Sequence, residues 1–356
     1  QMALNQVGLE RLNTATTKKI GTNKNIVING AMTVAQRGTS STSTGYQTVD
    51  RFQFLTSGVD EAPTQAQVDV ASGTTPYTLG FRKALKITNG NQTGGAGSTD
   101  AIYVRYRPEA QDIAVSGWNY TSTSSFITLS FWVKSSVAQN FFGVIETSDG
   151  TQKMYPFQTG SLSADTWTKV IVKIPGHADL SFNTDNGQAL GINWVQFMGT
   201  DYTANSATVD TWKAQSDTER MPDNTSTWYT TNDATFEITG VQLEVGSVAT
   251  DFEHRNFADE LKKCERYFEF SATGRVFTVE STHSGYIEIP LIFRTEKRST
   301  PTITLVSSDE NFVSSVTAVG GNSTDKIYQA GLRGNTIVAS GNSKYLYGKA
   351  SADAEL

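Results

Sequence analysis

The chain has 356 residues, and 35 acidic against 29 basic side chains leave it a net charge of −6. It has no basic footprint for nucleic acid and no apolar run of the roughly 18 residues a membrane-spanning helix needs. Its single cysteine, Cys264, excludes an intrachain disulfide and a Cys-rich zinc site.

Only 18% of residues are charged, while 37% are hydrophobic and 10% aromatic. Ser, Thr, Asn and Gly carry much of the remaining polarity, which suits short strands joined by many turns. The length favours two domains, because one core rarely grows past about 250–300 residues. Residues 1–24 read as a polar leader, with Val7, Leu9 and Leu12 as its main apolar side chains. A piece so poor in apolar surface does not fold alone. Its start lacks the pattern of a signal peptide. Gln1 is not an initiator residue, so the chain reads as a processed product, a fragment of something longer, or one carrying a leftover residue.

Asn25–Asn29 is expected to be the first strand. Arg51–Leu55, Leu85–Ile87 and Ala101–Tyr106 follow, and the glycines of 89–97 mark a loop. In Phe126–Lys134 the side chains of Leu129, Phe131 and Val133 share one face. Phe141–Thr147 and Gln152–Tyr155 flank Asp149-Gly150, a strong hairpin signal because the turn wants positive φ at both central residues. Trp167–Ile174, Leu190–Met198 and Thr235–Glu244 complete a series with no helical period between them. The pattern predicts an all-β jelly-roll β-sandwich over 25–255. A connecting helix over 256–268 follows, with Asn256 as N-cap and Phe257, Leu261, Cys264 and Phe268 on one face. Arg275–Val279, Gly285–Ile289, Thr302–Val306 and Thr336–Ala339 then predict a second, smaller β-sandwich domain over 269–356.

Three segments carry a resemblance: 25–38 with Val49-Asp50-Arg51-Phe52, then 238–255, then Glu260–Tyr267 with Phe293-Arg294 and Thr300-Pro301-Thr302. Together they resemble a family of virion structural proteins and tail fibres of tailed bacteriophages, including those of marine bacteria. The stretch Phe126–Glu244 is similar to the jelly roll of carbohydrate-binding modules. The resemblance implies a non-catalytic, often glycan-related role, a place on the phage particle and a homotrimer. The leader would join other virion proteins. Among the motif residues Asn29, Gly30, Arg37, Asp50, Arg51, Gln242, Glu244 and Arg255, Asn29-Gly30 suits a turn. Arg37 and Arg51 are expected to pair with Glu244 or Glu253 and pin the ends of the sandwich together.

No residue pattern marks a catalyst. Glycan hydrolysis needs two carboxylates about 5–10 Å apart. Asp60, Glu61, Asp112, Glu146 and Asp149 are available but none sits in a motif, and there is no Gly-x-Ser-x-Gly. No cofactor is expected beyond a structural calcium, for which Asp179, Asn183 and Asp185 gather oxygen ligands. Sugar rings stack on aromatic side chains among polar neighbours. Trp212, Trp228, Tyr229 and Tyr202, with Trp118 and Tyr120, are therefore the ligand candidates, because they lie in polar loops. Trp132, Trp167 and Trp194 lie in strands and are expected in the core. The leading expectation is a tail fibre or receptor-binding protein that adheres to host surface glycan, without nucleic acid or membrane insertion. A capsid decoration protein is the alternative, and a polysaccharide depolymerase comes third.

Overall fold

A computed structural model describes residues 24–271, 274–277, 287–310, 313–320, 329–337 and 345–356. The leader through residue 23 and the predicted strand residues Thr278, Val279, Gly285, Tyr286, Val338 and Ala339 lie outside the described residues.

The strands, in chain order, are β1 (Ser40–Ser41), β2 (Phe52–Ser57), β3 (Thr64–Asp69), β4 (Lys83–Thr88), β5 (Ala101–Tyr106), β6 (Phe126–Ser135), β7 (Asn140–Thr147), β8 (Lys153–Ser161), β9 (Thr168–Pro175), β10 (Leu190–Met198), β11 (Lys213–Ala214) and β12 (Thr235–Val245). They form two six-stranded antiparallel sheets, ordered β1-β3-β4-β12-β6-β9 and β11-β8-β7-β10-β5-β2. This is a jelly-roll β-sandwich. β9 shows the cause most plainly: Val170, Val172 and Ile174 are buried while Lys169, Ile171 and Lys173 are exposed, as a half-buried pleat requires. Phe131, Phe52 and Trp194 meet between the sheets, with ring centroids 5.8 Å apart for Phe131–Trp194 and 6.1 Å for Phe52–Trp194. The hairpin at Asp149-Gly150 forms, Gly150 taking φ 61°, with its connection spread over 148–152.

The expected first strand, Asn25–Asn29, is not one; bends and turns fill it. Asparagine side chains bond the backbone here instead of a ladder. Asn25 Oδ1 accepts from Val27 N and Leu243 N, both at 3.0 Å. Asn29, at φ 61°, bonds Val34 O and Asp50 O through Nδ2, both at 2.9 Å. Gly30 is required beside it: a Cβ would stand 2.0 Å from Val241 O.

Helix α1 is Thr75–Thr78, α2 is Ala110–Ala114, α3 is Thr227–Thr230 and α4 is Phe257–Glu265. α4 lies within the predicted helix 256–268, and Asn256 Oδ1 accepts from Asp259 N at 2.9 Å as its N-cap. Its buried side chains are Glu260, Cys264 and Glu265 rather than the expected apolar stripe. Phe257 is 58% exposed, and Phe268 belongs to a strand.

The remaining strands are β13 (Phe268–Phe270), β14 (Gly274–Phe277), β15 (Ile287–Ile292), β16 (Thr302–Glu310), β17 (Val313–Gly320), β18 (Gln329–Ile337) and β19 (Tyr345–Asp353). One sheet centres on β19, which pairs with β13, β14 and β16; the other runs β15-β18-β17. The strand pattern of the sequence does not predict β13, β17 or β19.

After β19 the chain runs back to the first sandwich. The expected pairing of Arg37 and Arg51 with Glu244 or Glu253 does not form. Arg37 instead reaches Asp353 at 3.0 Å and Glu355 at 3.4 Å, and Arg51 pairs with Glu355. Glu244 is taken by Thr250 N at 2.7 Å and Gln242 Nε2 at 2.8 Å, and Glu253 by Arg255 at 2.9 Å. The motif residues hold a seam between early and late chain segments.

The seam carries a pH dependence. Asp50 is 1% exposed. Burial pushes its carboxyl up from 3.8 to about 6, against hydrogen bonds from Gln36 and the nearby Arg37. A raised folded pKa means the native state binds more protons between those values, so stability falls as pH rises from about 4 to 6. The contribution is about 3 kcal/mol at 1.36 kcal/mol per unit. In urea titrations across this window, Asp50→Asn should remove that part of the slope; an unchanged slope would assign the effect elsewhere.

Candidate functional site

Of the loop aromatics predicted to meet a ligand, Trp118, Trp228 and Tyr229 are buried, and Tyr120 and Trp212 are partly buried against the sandwich core. Trp228 and Tyr229 are 0% and 1% exposed. The Trp228 indole donates to Thr235 O at 3.0 Å and the Tyr229 hydroxyl to Asp100 Oδ2 at 2.8 Å. Trp118 is 3% exposed and packs on Phe182 with centroids 6.2 Å apart. Tyr120 meets Phe182 edge-on at 4.9 Å. Trp212 is partly buried against Tyr155, and its indole donates to Pro175 O at 2.7 Å. All five rings pack with the main hydrophobic core of the sandwich. Trp194 is in the core as expected, whereas Trp132 and Trp167 pack, half-buried, in a separate cluster with Phe81 and Val70.

The calcium candidates each have their own partner. Asp179 pairs with Lys153 at 2.7 Å, Asn183 donates to Asp149 at 2.7 Å, and Asp185 accepts from Gly187 N at 2.8 Å. Among the described residues no group of three or more His, Cys, Asp and Glu is placed to hold a metal.

Tyr202 alone of the six lies elsewhere, over the outer face of the second sheet. The strand registers define that face. One row across the sheet runs Leu55, Tyr103, Val195, Phe142, and a second runs Gln53, Arg105, Asn193, Val144. Glu146 follows on β7, opposite Gly191 and Met154. The loop after β10 returns across this face. Thr203 bridges Met221, and Arg220 N donates to Tyr202 O at 2.9 Å. Ala101, Val195, Met198 and Met221 form an apolar pad against which Tyr103, Phe142 and Tyr202 pack, partly buried. This cover is why β10 is buried on both sides.

A polar network crosses the pad. Arg105 Nε donates to Asn193 Oδ1 at 2.6 Å, and its Nη2 lies 3.5 Å from Glu146 Oε2. Asn193 Nδ2 donates to the same Glu146 oxygen at 3.2 Å. Arg220 Nη1 stands 3.5 Å from Glu146 Oε1, while Nη2 holds Asp217 at 2.9 Å. The arginines also face rings: Arg105 is 5.3 Å from the Tyr103 centroid and Arg220 is 5.9 Å from that of Tyr202. Two buried atoms here, Gln53 Oε1 and Arg220 Nε, have no hydrogen-bond partner among the described residues, while Glu146 Oε1 faces the Arg220 guanidinium. The arrangement combines ring faces with fixed donors and acceptors, and so suits a hydroxylated ligand with apolar C–H faces.

Of these residues the sequence alone points only to Tyr202, and to Glu146 as one unmarked carboxylate among several. The available signal was alternation: Tyr103 and Arg105 occupy the outward positions between Ile102, Val104 and Tyr106, and Asn193 interrupts an apolar strand.

Fold and face together define an all-β protein with a jelly-roll sandwich and a ring-and-polar patch on its second sheet. No family model matches the chain, and no curated protein matches it by sequence. Solved structures similar to it include the enzymatically active domain of tailspike protein 4 from bacteriophage CBA120, at 10% identity and TM-score 0.32, covering 63% of this chain and 22% of that one. They also include the N-terminal cellulose-binding domain of Cellulomonas fimi β-1,4-glucanase C, at 11% identity and TM-score 0.28, covering 61% and 99%. A third is the family 11 carbohydrate-binding module of Clostridium thermocellum, at 11% identity and TM-score 0.26, covering 60% and 98%. The chain thus spans about a fifth of the tailspike structure's length.

Proposed function

We propose that this chain is a non-catalytic adhesin of a phage particle, a homotrimeric tail fibre whose second sheet holds a host surface glycan. The carrying observation is the outer face on which Tyr103, Phe142 and Tyr202 surround the Arg105–Asn193–Glu146–Arg220 network. The placement on a virion, the trimer and attachment to other virion proteins through residues 1–24 follow from the sequence resemblance. Each site is weak, in the millimolar to micromolar range of about −4 to −8 kcal/mol. Many copies on one particle raise avidity by roughly 10²–10⁴.

The test is adsorption of labelled multivalent protein to host cells. Tyr202→Ala and Tyr103→Ala should each weaken it at least about tenfold; because both rings are partly buried against the apolar pad, the comparison is made at a temperature where melting curves show each variant folded. Light scattering on the same preparation should give a trimer of the 38.7 kDa chain. Undiminished adsorption by both variants would remove the site. A parent protein that does not adsorb at all would favour capsid decoration, which needs no receptor.

A further inference from the structure

The sequence contains Asn-Gly three times, at Asn29-Gly30, Asn89-Gly90 and Asn186-Gly187. At such a pair the glycine nitrogen can attack the asparagine side-chain carbonyl, because the glycine has no Cβ to restrict its backbone or hinder the approach. The fold gives the three pairs different surroundings. We propose that Asn186 is a site of spontaneous deamidation in the folded protein, and that Asn29 and Asn89 are protected from it.

Asn29 is 0% exposed and Asn89 2%. Asn29 donates from Nδ2 to Val34 O and Asp50 O and accepts from Val34 N at Oδ1, all at 2.9 Å. Asn89 Nδ2 faces the carbonyls of Trp228, Tyr229 and Thr231 at 3.3, 2.6 and 3.2 Å, and its Oδ1 accepts from Gln92 Nε2 at 3.2 Å. The glycines are wedged as well. A Cβ on Gly30 would stand 2.0 Å from Val241 O, and one on Gly90 2.5 Å from Glu61 O. Neither side chain can turn for the reaction without leaving buried polar groups unpaired, which is costly.

Asn186 is exposed, in the loop before β10. One hydrogen bond ties its side chain, from Nδ2 to Arg298 O. A Cβ on Gly187 would meet first the exposed Asp185 side chain, at 2.9 Å, and no backbone stands nearer. Two neighbours favour the chemistry. Asp185 Oδ1 accepts from Gly187 N at 2.8 Å, so a carboxylate already holds the proton that must leave. Arg298 Nη1 donates to Asn186 O at 2.8 Å. A cation there stabilises the negative charge that the peptide unit takes up as Gly187 N is deprotonated.

In the step itself Gly187 N passes its proton to Asp185 and bonds to Asn186 Cγ. The Cγ–Nδ2 bond breaks, and Nδ2 leaves as ammonia with the proton that Asp185 received. Water then opens the five-membered imide at either carbonyl, leaving aspartate or isoaspartate at position 186. Isoaspartate adds a methylene to the backbone between Asp185 O and Gly187 O, which accept from Gln111 N at 2.9 Å and Ala110 N at 2.7 Å.

Peptide mapping by mass spectrometry tests this on the full chain, incubated at mildly alkaline pH and physiological temperature. A sample unfolded in urea serves as reference, in which all three pairs should convert. In the native protein the expected result is acid at 186, part of it isoaspartate labelled by a protein isoaspartyl methyltransferase, with Asn29 and Asn89 unchanged. Asp185→Ser, shown to be folded by its melting curve, should slow conversion about tenfold or more, a modest effect for a placed general base. Asn186 intact in the native protein while it converts in urea would overturn the site. Equal conversion of all three pairs in the native protein would overturn the protection of Asn29 and Asn89. An unchanged rate in Asp185→Ser would overturn the role of Asp185 as proton acceptor.

Discussion

Arg51→Met should destabilise the protein by roughly 3–5 kcal/mol, the cost of breaking a buried ion pair by removing one partner. Arg51 is 0% exposed and adopts φ 74°. Its guanidinium lies 3.4 Å from the Tyr267 ring centroid and 5.5 Å from that of Tyr106. It donates to Arg107 O and to Glu355, whose side chain is only 5% exposed. Methionine keeps much of the volume but leaves the Glu355 carboxylate with Arg37 alone, at 3.4 Å. The same seam holds the end of the described chain: Tyr46 donates to Leu356 O and Arg298 Nε to Ala354 O, both at 2.9 Å. Losing Arg51 should therefore loosen residues 353–356 as well. Arg51→Lys should not rescue, because an ammonium cannot both stack flat on Tyr267 and fork to two acceptors. Urea unfolding measures the loss; a change under about 0.5 kcal/mol, the size of an ordinary surface substitution, would contradict a seam that matters to stability.

Trp228→Ala should cost about 3–5 kcal/mol, as emptied aromatic sites do. The ring is fully buried, and the backbone around it is tied from outside the loop. Asn89 Nδ2 donates to Tyr229 O at 2.6 Å, and Gln139 Oε1 accepts from Trp228 N at 2.9 Å. At a temperature where the variant remains folded, glycan binding should equal that of the parent. A folded, equally stable variant that no longer adsorbs to cells would return Trp228 to the list of ligand residues.

These rings show where sequence reading stops. A tryptophan in a polar loop serves equally as a platform for sugar or as a plug for an open core, and only the path of the loop separates the two. Trp228 is buried in the sandwich core, and Trp212 packs partly buried against it. Strands such as β6 and β9 were legible because Leu129, Phe131, Val133 and Val170, Val172, Ile174 alternate without interruption. Asn25–Asn29 misled because its apolar core has strand propensity, while the flanking asparagines bond backbone groups and impose turns. β19 was hidden for the opposite reason. Its buried Ala350 and Ala352 have too little side chain to signal a pattern, yet the strand pairs with three others. The candidate site was the least legible part. Arg105, Glu146, Asn193 and Arg220 stand far apart in sequence, and each alone is an ordinary polar residue on a strand or loop. Only the register of β5, β10 and β7 and the return of the loop over them make a site.

The most direct measurement is a crystal structure of the protein with an oligosaccharide from the host surface to which it adsorbs. Sugar density is expected on the outer face of the second sheet, packed on Tyr103 and Tyr202 beside Arg105 and Arg220. Density at Trp118, Trp212 or the C-terminal strands, with that face empty, would contradict it.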